Sequence, residues 1–160
     1  MVELATADLH IRETEGSNRG PGIEKYWSAT SYPGGYEARQ PYCAAAVCWW
    51  VEQAAKDVGY TALPLLRSAR AFDFHQWGKT NDSAGRKVSV IAKSDEILPG
   101  DIIVFSFSHV GIAEARSPKG RDVQTIEANT SPSSTNNEGG GVYRRTRSRN
   151  LIRAIVRITA

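Results

Sequence analysis

From Cys43 onward the sequence commits to one long amphipathic helix. In "QPYCAAAVCWWVEQAAKDVGY" (40–60), Ala44, Val47, Cys48, Val51, Ala55 and Val58 recur at i, i+3, i+4, i+7 spacing. Gly59 follows where a helix C-terminal cap belongs. Such a stripe has to be covered, and the second half of the chain supplies the cover. After about residue 86 the pattern turns to β, with candidate strands at 86–92, 101–107, 109–115, 123–128, 141–145 and 151–158. Short polar connections between them predict an antiparallel sheet. Ahead of Cys43 the chain reads as weakly helical over 2–14, with a second helix in "PGIEKYWSAT" (21–30) carrying Pro21 near its first turn. A further helix is expected over 67–79. The expected fold is α+β, helices packed on a curved antiparallel sheet of about six strands, as one domain over residues 1–160. Between strands, "NTSPSSTNNEGGG" (129–141) reads as a mobile surface loop.

Composition narrows the class. At 41% hydrophobic and 23% charged residues the chain is globular rather than disordered. A formal net charge of +3 makes an anionic surface a plausible partner. No apolar run approaches the roughly 18 residues that a membrane span needs. The start, "MVELATADLHIRETEG", carries acids and lacks the apolar stretch of a signal peptide. The expectation is a protein made in the cytoplasm, where two cysteines do not make a disulfide framework.

Those two cysteines differ by helical position. Five residues at about 100° each leave their side chains roughly 140° apart, so they neither bond to each other nor share a metal readily. Cys48 lies in the middle of the apolar stripe and reads as a small core residue. Cys43 lies on the first turn, where free N–H groups and the helix dipole favour a thiolate. A nucleophilic cysteine needs a base. His10 and His75 read as surface or packing residues. His109 instead opens a strand on which positions 109, 111 and 113 share a face, giving it Gly111 and Ala113 as small neighbours. In "TIEANTS", Glu127 and Asn129 are two apart on the next strand, and either could hold the imidazole in the required tautomer. Each of these positions also has an ordinary reading as an exposed strand-end or loop residue.

Several segments together carry a family resemblance. "RETEGSNRGPGIEKYWSAT", "PYCAAAVCWW", "LPGDIIVFSFSHVGIAEA" and "TIEANTS" followed by "GGGVYRRTRS" resemble, in order, the CHAP domains, cysteine- and histidine-dependent amidohydrolases/peptidases. The resemblance runs from about residue 11 to the C-terminus and is to phage-type and bacterial cell-wall members. Their Pro-Trp-Cys-Ala-Ala-Phe-Val motif reads here Pro41-Tyr42-Cys43-Ala44-Ala45-Ala46-Val47. It implies a papain-like α+β fold, a nucleophile at Cys43, a base at His109, and an acidic or amide third residue at Glu127, with Asn129 as a further polar member. Gln40 is the nearest candidate for an upstream oxyanion donor. It lies closer to the cysteine than the papain-type pattern has it, which favours the backbone N–H of Cys43. Tyr42 and Trp50 are the expected substrate-contacting residues. Some relatives bind calcium through an acid-rich loop before the cysteine; here "SYPGGYEARQ" holds only Glu37, so no metal site is expected, and no cofactor.

The implied activity is hydrolysis of amide bonds in bacterial peptidoglycan through a thioester. Access to the wall would come by lysis or by a delivery route other than the general secretory one, calling for a lysis, secretion or immunity partner. Two other readings are a papain-like hydrolase of a soluble cytoplasmic amide, and a silent fold serving as a structural or binding part of a phage particle. The segment "RRTRSRNLIRAIVR" (144–157) holds six arginines. Its strand alternation reads as a solvated face, and no nucleic-acid-binding module is evident.

Overall fold

The computed structural model describes residues 1–14, 16–82, 87–136 and 139–159. Among these residues four α-helices, α1 (Val2–Ala7), α2 (Glu24–Trp27), α3 (Cys43–Asp57) and α4 (Asp73–Asn81), lie with six strands. The strands are β1 (Val88–Ile91), β2 (Ile102–Phe105), β3 (His109–Ala113), β4 (Val123–Thr130), β5 (Gly141–Arg147) and β6 (Ile152–Ile158). They form one open antiparallel sheet in the order β1-β6-β2-β3-β4-β5. The fold is α+β, as its sequence pattern predicts. Arg86 of the first expected strand, and residues 137–138 of the expected 129–141 loop, lie outside the described residues. Among the described residues no helix is long and apolar enough to cross a membrane.

The period-2 alternation of β2 sorts its side chains onto two buried faces. Ile102 and Val104 join the core shared with the helices, whereas Ile103 and Phe105 join a second cluster with Ile97, Val123 and Ile155. In β3, Val110 and Ile112 go to the helix side and Ala113 to the second cluster. Helix α3 packs on β3 and β4, and α4 on β1 and β6. A sheet covered on both faces explains why β2 and β3 read as nearly continuous apolar runs.

Helix α3 ends as its sequence requires. Gly59 takes φ +65°, donating its N–H to Lys56 O at 3.1 Å, and Tyr60 N–H reaches Ala55 O at 2.7 Å. Val58, expected on the apolar stripe, is the C-cap residue and 68% exposed, because the helical turn is already over there. The other helices are shorter than their periodicity suggests, and the first and last of them have a local competitor. Residues 11–13 leave the helix of the first turns to pair with the start of β5, where Glu13 N–H donates to Gly140 O and Val142 N–H to Ile11 O. Ahead of α4, the Ser68 hydroxyl donates to Asp73 and accepts from Arg70 N–H, folding 68–73 into a turn that delays the helix.

Candidate active site

Cys43 is the first residue of α3, and Tyr42 in the N-cap position makes no side-chain cap. The first-turn N–H groups therefore keep their capacity to stabilise negative charge at or near the thiol. Cys43 is 4% exposed, and that small opening gives onto a cleft of about 640 Å³. Tyr32, Gln40, Pro41, Ser108 and the 68–73 turn line it. A second cavity, about 580 Å³, lies at the far end of α3 around Val51, Val58 and Tyr60 and includes none of these groups.

His109 follows Ser108, which is held at φ +59°, a left-handed conformation that a serine adopts only under constraint from its surroundings. The imidazole is fully buried and lies stacked near Phe107 and Phe105, with ring centroids 5.6 Å and 5.9 Å away. Its Nε2–H donates to Glu127 Oε2 at 2.8 Å, since a carboxylate only accepts. That assigns the hydrogen to Nε2 in the neutral ring and leaves Nδ1 for the cysteine. Nδ1 is buried and makes no hydrogen bond among the described residues.

Charge fixes the states of these groups. Burial pulls the His109 pKa down, but the nearby Cys43 sulfur and the Glu127 carboxylate outweigh it and raise the value to about 9. Burial pushes Glu127 up, and its bonds to His109 and Arg147 overcome this, bringing it down to about 2. The arrangement is an imidazolium held between a sulfur and a carboxylate. Cys48 behaves otherwise. Its thiol donates to Ser68 O at 3.4 Å, and burial pushes its pKa up to about 12, so it stays a neutral core group.

The hydrogen bond to His109 comes from Glu127. The β4 ladder shifts register between Glu127 and Thr130, with Asn129 at φ +56°, so simple alternation does not carry from 127 to 129. Asn129 is buried and its backbone hydrogen-bonds to the Tyr42 hydroxyl. Gln40 lines the cleft, with its side-chain amide donating to Ala38 O at 3.2 Å. Tyr42 and Trp50, expected to meet substrate, are fully buried and do not line the cleft. The Tyr42 hydroxyl donates to Glu13 and the Trp50 indole N–H to Asp8, so both side chains are tied into the interior rather than facing the cleft.

Two neighbours of Glu127 escape a reading of the sequence. Thr125 donates its hydroxyl to Oε1 at 2.6 Å. Arg147, which is 4% exposed, grips the carboxylate with Nε on Oε1 at 3.0 Å and Nη2 on Oε2 at 2.6 Å. It sits in an arginine-rich stretch that reads as solvated, and only the β4–β5 register, with Val123 opposite Arg147, shows it to be internal. Arg157, assigned to the same solvated face, pairs with the buried Asp101 at 2.7 Å.

A family model described as "CHAP domain" matches residues 31–129, a span that holds Cys43, His109, Glu127 and Asn129. No curated protein and no solved structure matches the chain.

Proposed function

The chain belongs to the CHAP-domain family, and from that premise we propose that it hydrolyses amide bonds of bacterial peptidoglycan by a cysteine mechanism. The observation that carries this reading is the buried line from Glu127 through His109 to Cys43, which ends at a helix N-terminus opening onto a cleft.

In the proposed cycle the Cys43 thiolate attacks the amide carbonyl carbon, and the carbonyl oxygen takes the negative charge. The backbone N–H of Cys43 stabilises that oxyanion, with Gln40 as the side-chain candidate on the cleft wall. Collapse breaks the C–N bond, and protonated His109 gives its Nδ1 proton to the leaving amine. Neutral His109 then takes a proton from water, whose oxygen attacks the thioester carbon. The acid product leaves, and the thiolate–imidazolium pair is restored. Glu127 keeps Nε2–H oriented throughout and is not itself protonated.

Purified peptidoglycan digested by the wild type should release soluble fragments whose masses name the bond cut. Cys43→Ala should lower release by at least about 1,000-fold, while Cys48→Ala should retain it. Equal release from the wild type and Cys43→Ala would overturn the assignment of the nucleophile. Intact walls beside turnover of small peptides would move the substrate to soluble amides.

A further inference from the structure

We propose that Arg147 is a positioning residue for the reaction: its two-pronged grip holds Glu127 in place and keeps the carboxylate charged whichever protonation state His109 adopts. The inference rests on the cysteine–histidine chemistry above but not on which amide is cut.

The geometry of the carboxylate carries the argument. Oε2 accepts from His109 Nε2 at 2.8 Å and Arg147 Nη2 at 2.6 Å; Oε1 accepts from Thr125 Oγ1 at 2.6 Å and Arg147 Nε at 3.0 Å. Four donors therefore use roughly the four lone-pair directions that a carboxylate offers. The site is fully buried at Glu127 and His109, and Phe105 and Phe107 shield Arg147 with centroids 5.5 Å and 5.3 Å from its guanidinium carbon. A fork-to-fork pair of this kind fixes direction as well as charge.

Charge balance gives the grip its purpose. The buried groups facing one another are Cys43 from α3, His109 from β3, Glu127 from β4 and Arg147 from β5, with the half-buried Arg145 beside them. In the starting state of the proposed cycle two opposite pairs face each other, thiolate with imidazolium and carboxylate with guanidinium. In the acyl-enzyme the sulfur is a neutral thioester, and His109 has given up its proton. Without Arg147, Glu127 would then stand as an uncompensated buried anion, an arrangement that is strongly unfavourable. With Arg147 the net charge of the buried set is zero before and after acylation. The same guanidinium donates to Ser134 O at 3.1 Å, tying the start of the β4–β5 connection to the site.

The test is the pH dependence of Cys43 alkylation by iodoacetamide in the Cys48→Ala background, a readout that needs no wall substrate. In Arg147→Gln, Glu127 loses its permanent cation and protonates at higher pH, so support for the imidazolium fails earlier on acidification. The acid limb should move up by about one pH unit or more. Arg147→Lys keeps the charge in one piece but not the fork. Its acid limb should stay near that of the wild type, while the neutral-pH rate falls about 10-fold as His109 is held less well. An acid limb unmoved in Arg147→Gln would overturn the proposal, and so would wild-type rate and profile in Arg147→Lys. The Lys variant alone decides the matter if the Gln variant does not fold. Absence of wall cleavage by the wild type would count against peptidoglycan as substrate and leave this result standing.

Discussion

At Gly111 the site depends on one missing methyl group. A Cβ there would stand 2.6 Å from Glu127 Cγ and 2.9 Å from the Ile126 carbonyl oxygen. The carbonyl belongs to the β4 ladder and cannot give, so the Glu127 side chain would have to move, and with it the 2.8 Å bond to His109. Gly111→Ala should therefore cut turnover about 100-fold while costing only about 1–3 kcal/mol of stability. Paired kinetics and denaturant unfolding check this; unchanged kinetics would mean that Glu127 tolerates displacement. The sequence already exposes much at this scale. The places of Cys43 on a helical first turn and of His109 at the start of a strand are legible there, and their roles belong to the proposal above. Arg147 was not legible, because an arginine on an edge strand reads as solvated until the register of β5 on β4 is known. Tyr42 and Trp50 misled for a related reason: aromatic type next to a nucleophile does not say which side of the helix the ring takes.

Among the elements, α3 was readable from its unbroken helical stripe, and the six strands from short apolar or alternating runs separated by polar connections. All six strands begin and end within two residues of their expected bounds. The short front helices were not, since local hydrogen bonds from Ser68, Asp73 and the 11–13 segment compete with helix propensity. What holds α3 in place is Asp8, a carboxylate only 4% exposed at the end of α1. It accepts from Lys25 Nζ at 2.6 Å and the Tyr26 hydroxyl at 2.8 Å, both on α2, and from the Trp50 indole at 2.9 Å on α3. Asp8→Ala would leave the Tyr26 and Trp50 donors buried and unsatisfied. A loss of about 3 kcal/mol is expected in urea unfolding, with Cys43 alkylation in the surviving folded protein changed less than about 3-fold. A loss under about 0.5 kcal/mol would show that the three helices are held by apolar packing alone.

Across the whole molecule, the buried charges set how stability follows pH. His109 rises on folding from 6.5 to about 9, so its contribution is fully present below 6.5 and is lost as pH climbs through 9. Glu127 falls from 4.5 to about 2, so its contribution is present above 4.5 and is lost as pH drops through 2. Together these two groups predict a stability plateau between 4.5 and 6.5 with a decline on each side. The alkaline decline has a separable cause, because Cys43 is the first of the groups that raise His109, ahead of Glu127. In Cys43→Ala the imidazole keeps only Glu127 as its anionic support, and its folded-state pKa should fall. The alkaline decline should then still begin near 6.5 but be complete at lower pH and be smaller in total, while the acid decline, set by Glu127 with Arg147, stays where it was. Urea midpoints measured for both proteins at about pH 3, about pH 5.5 and about pH 9 suffice to see this. An identical alkaline decline in the two proteins would mean that the sulfur and the imidazole are not coupled in the folded state, and the thiolate–imidazolium pair on which the proposed chemistry depends would have lost its physical basis.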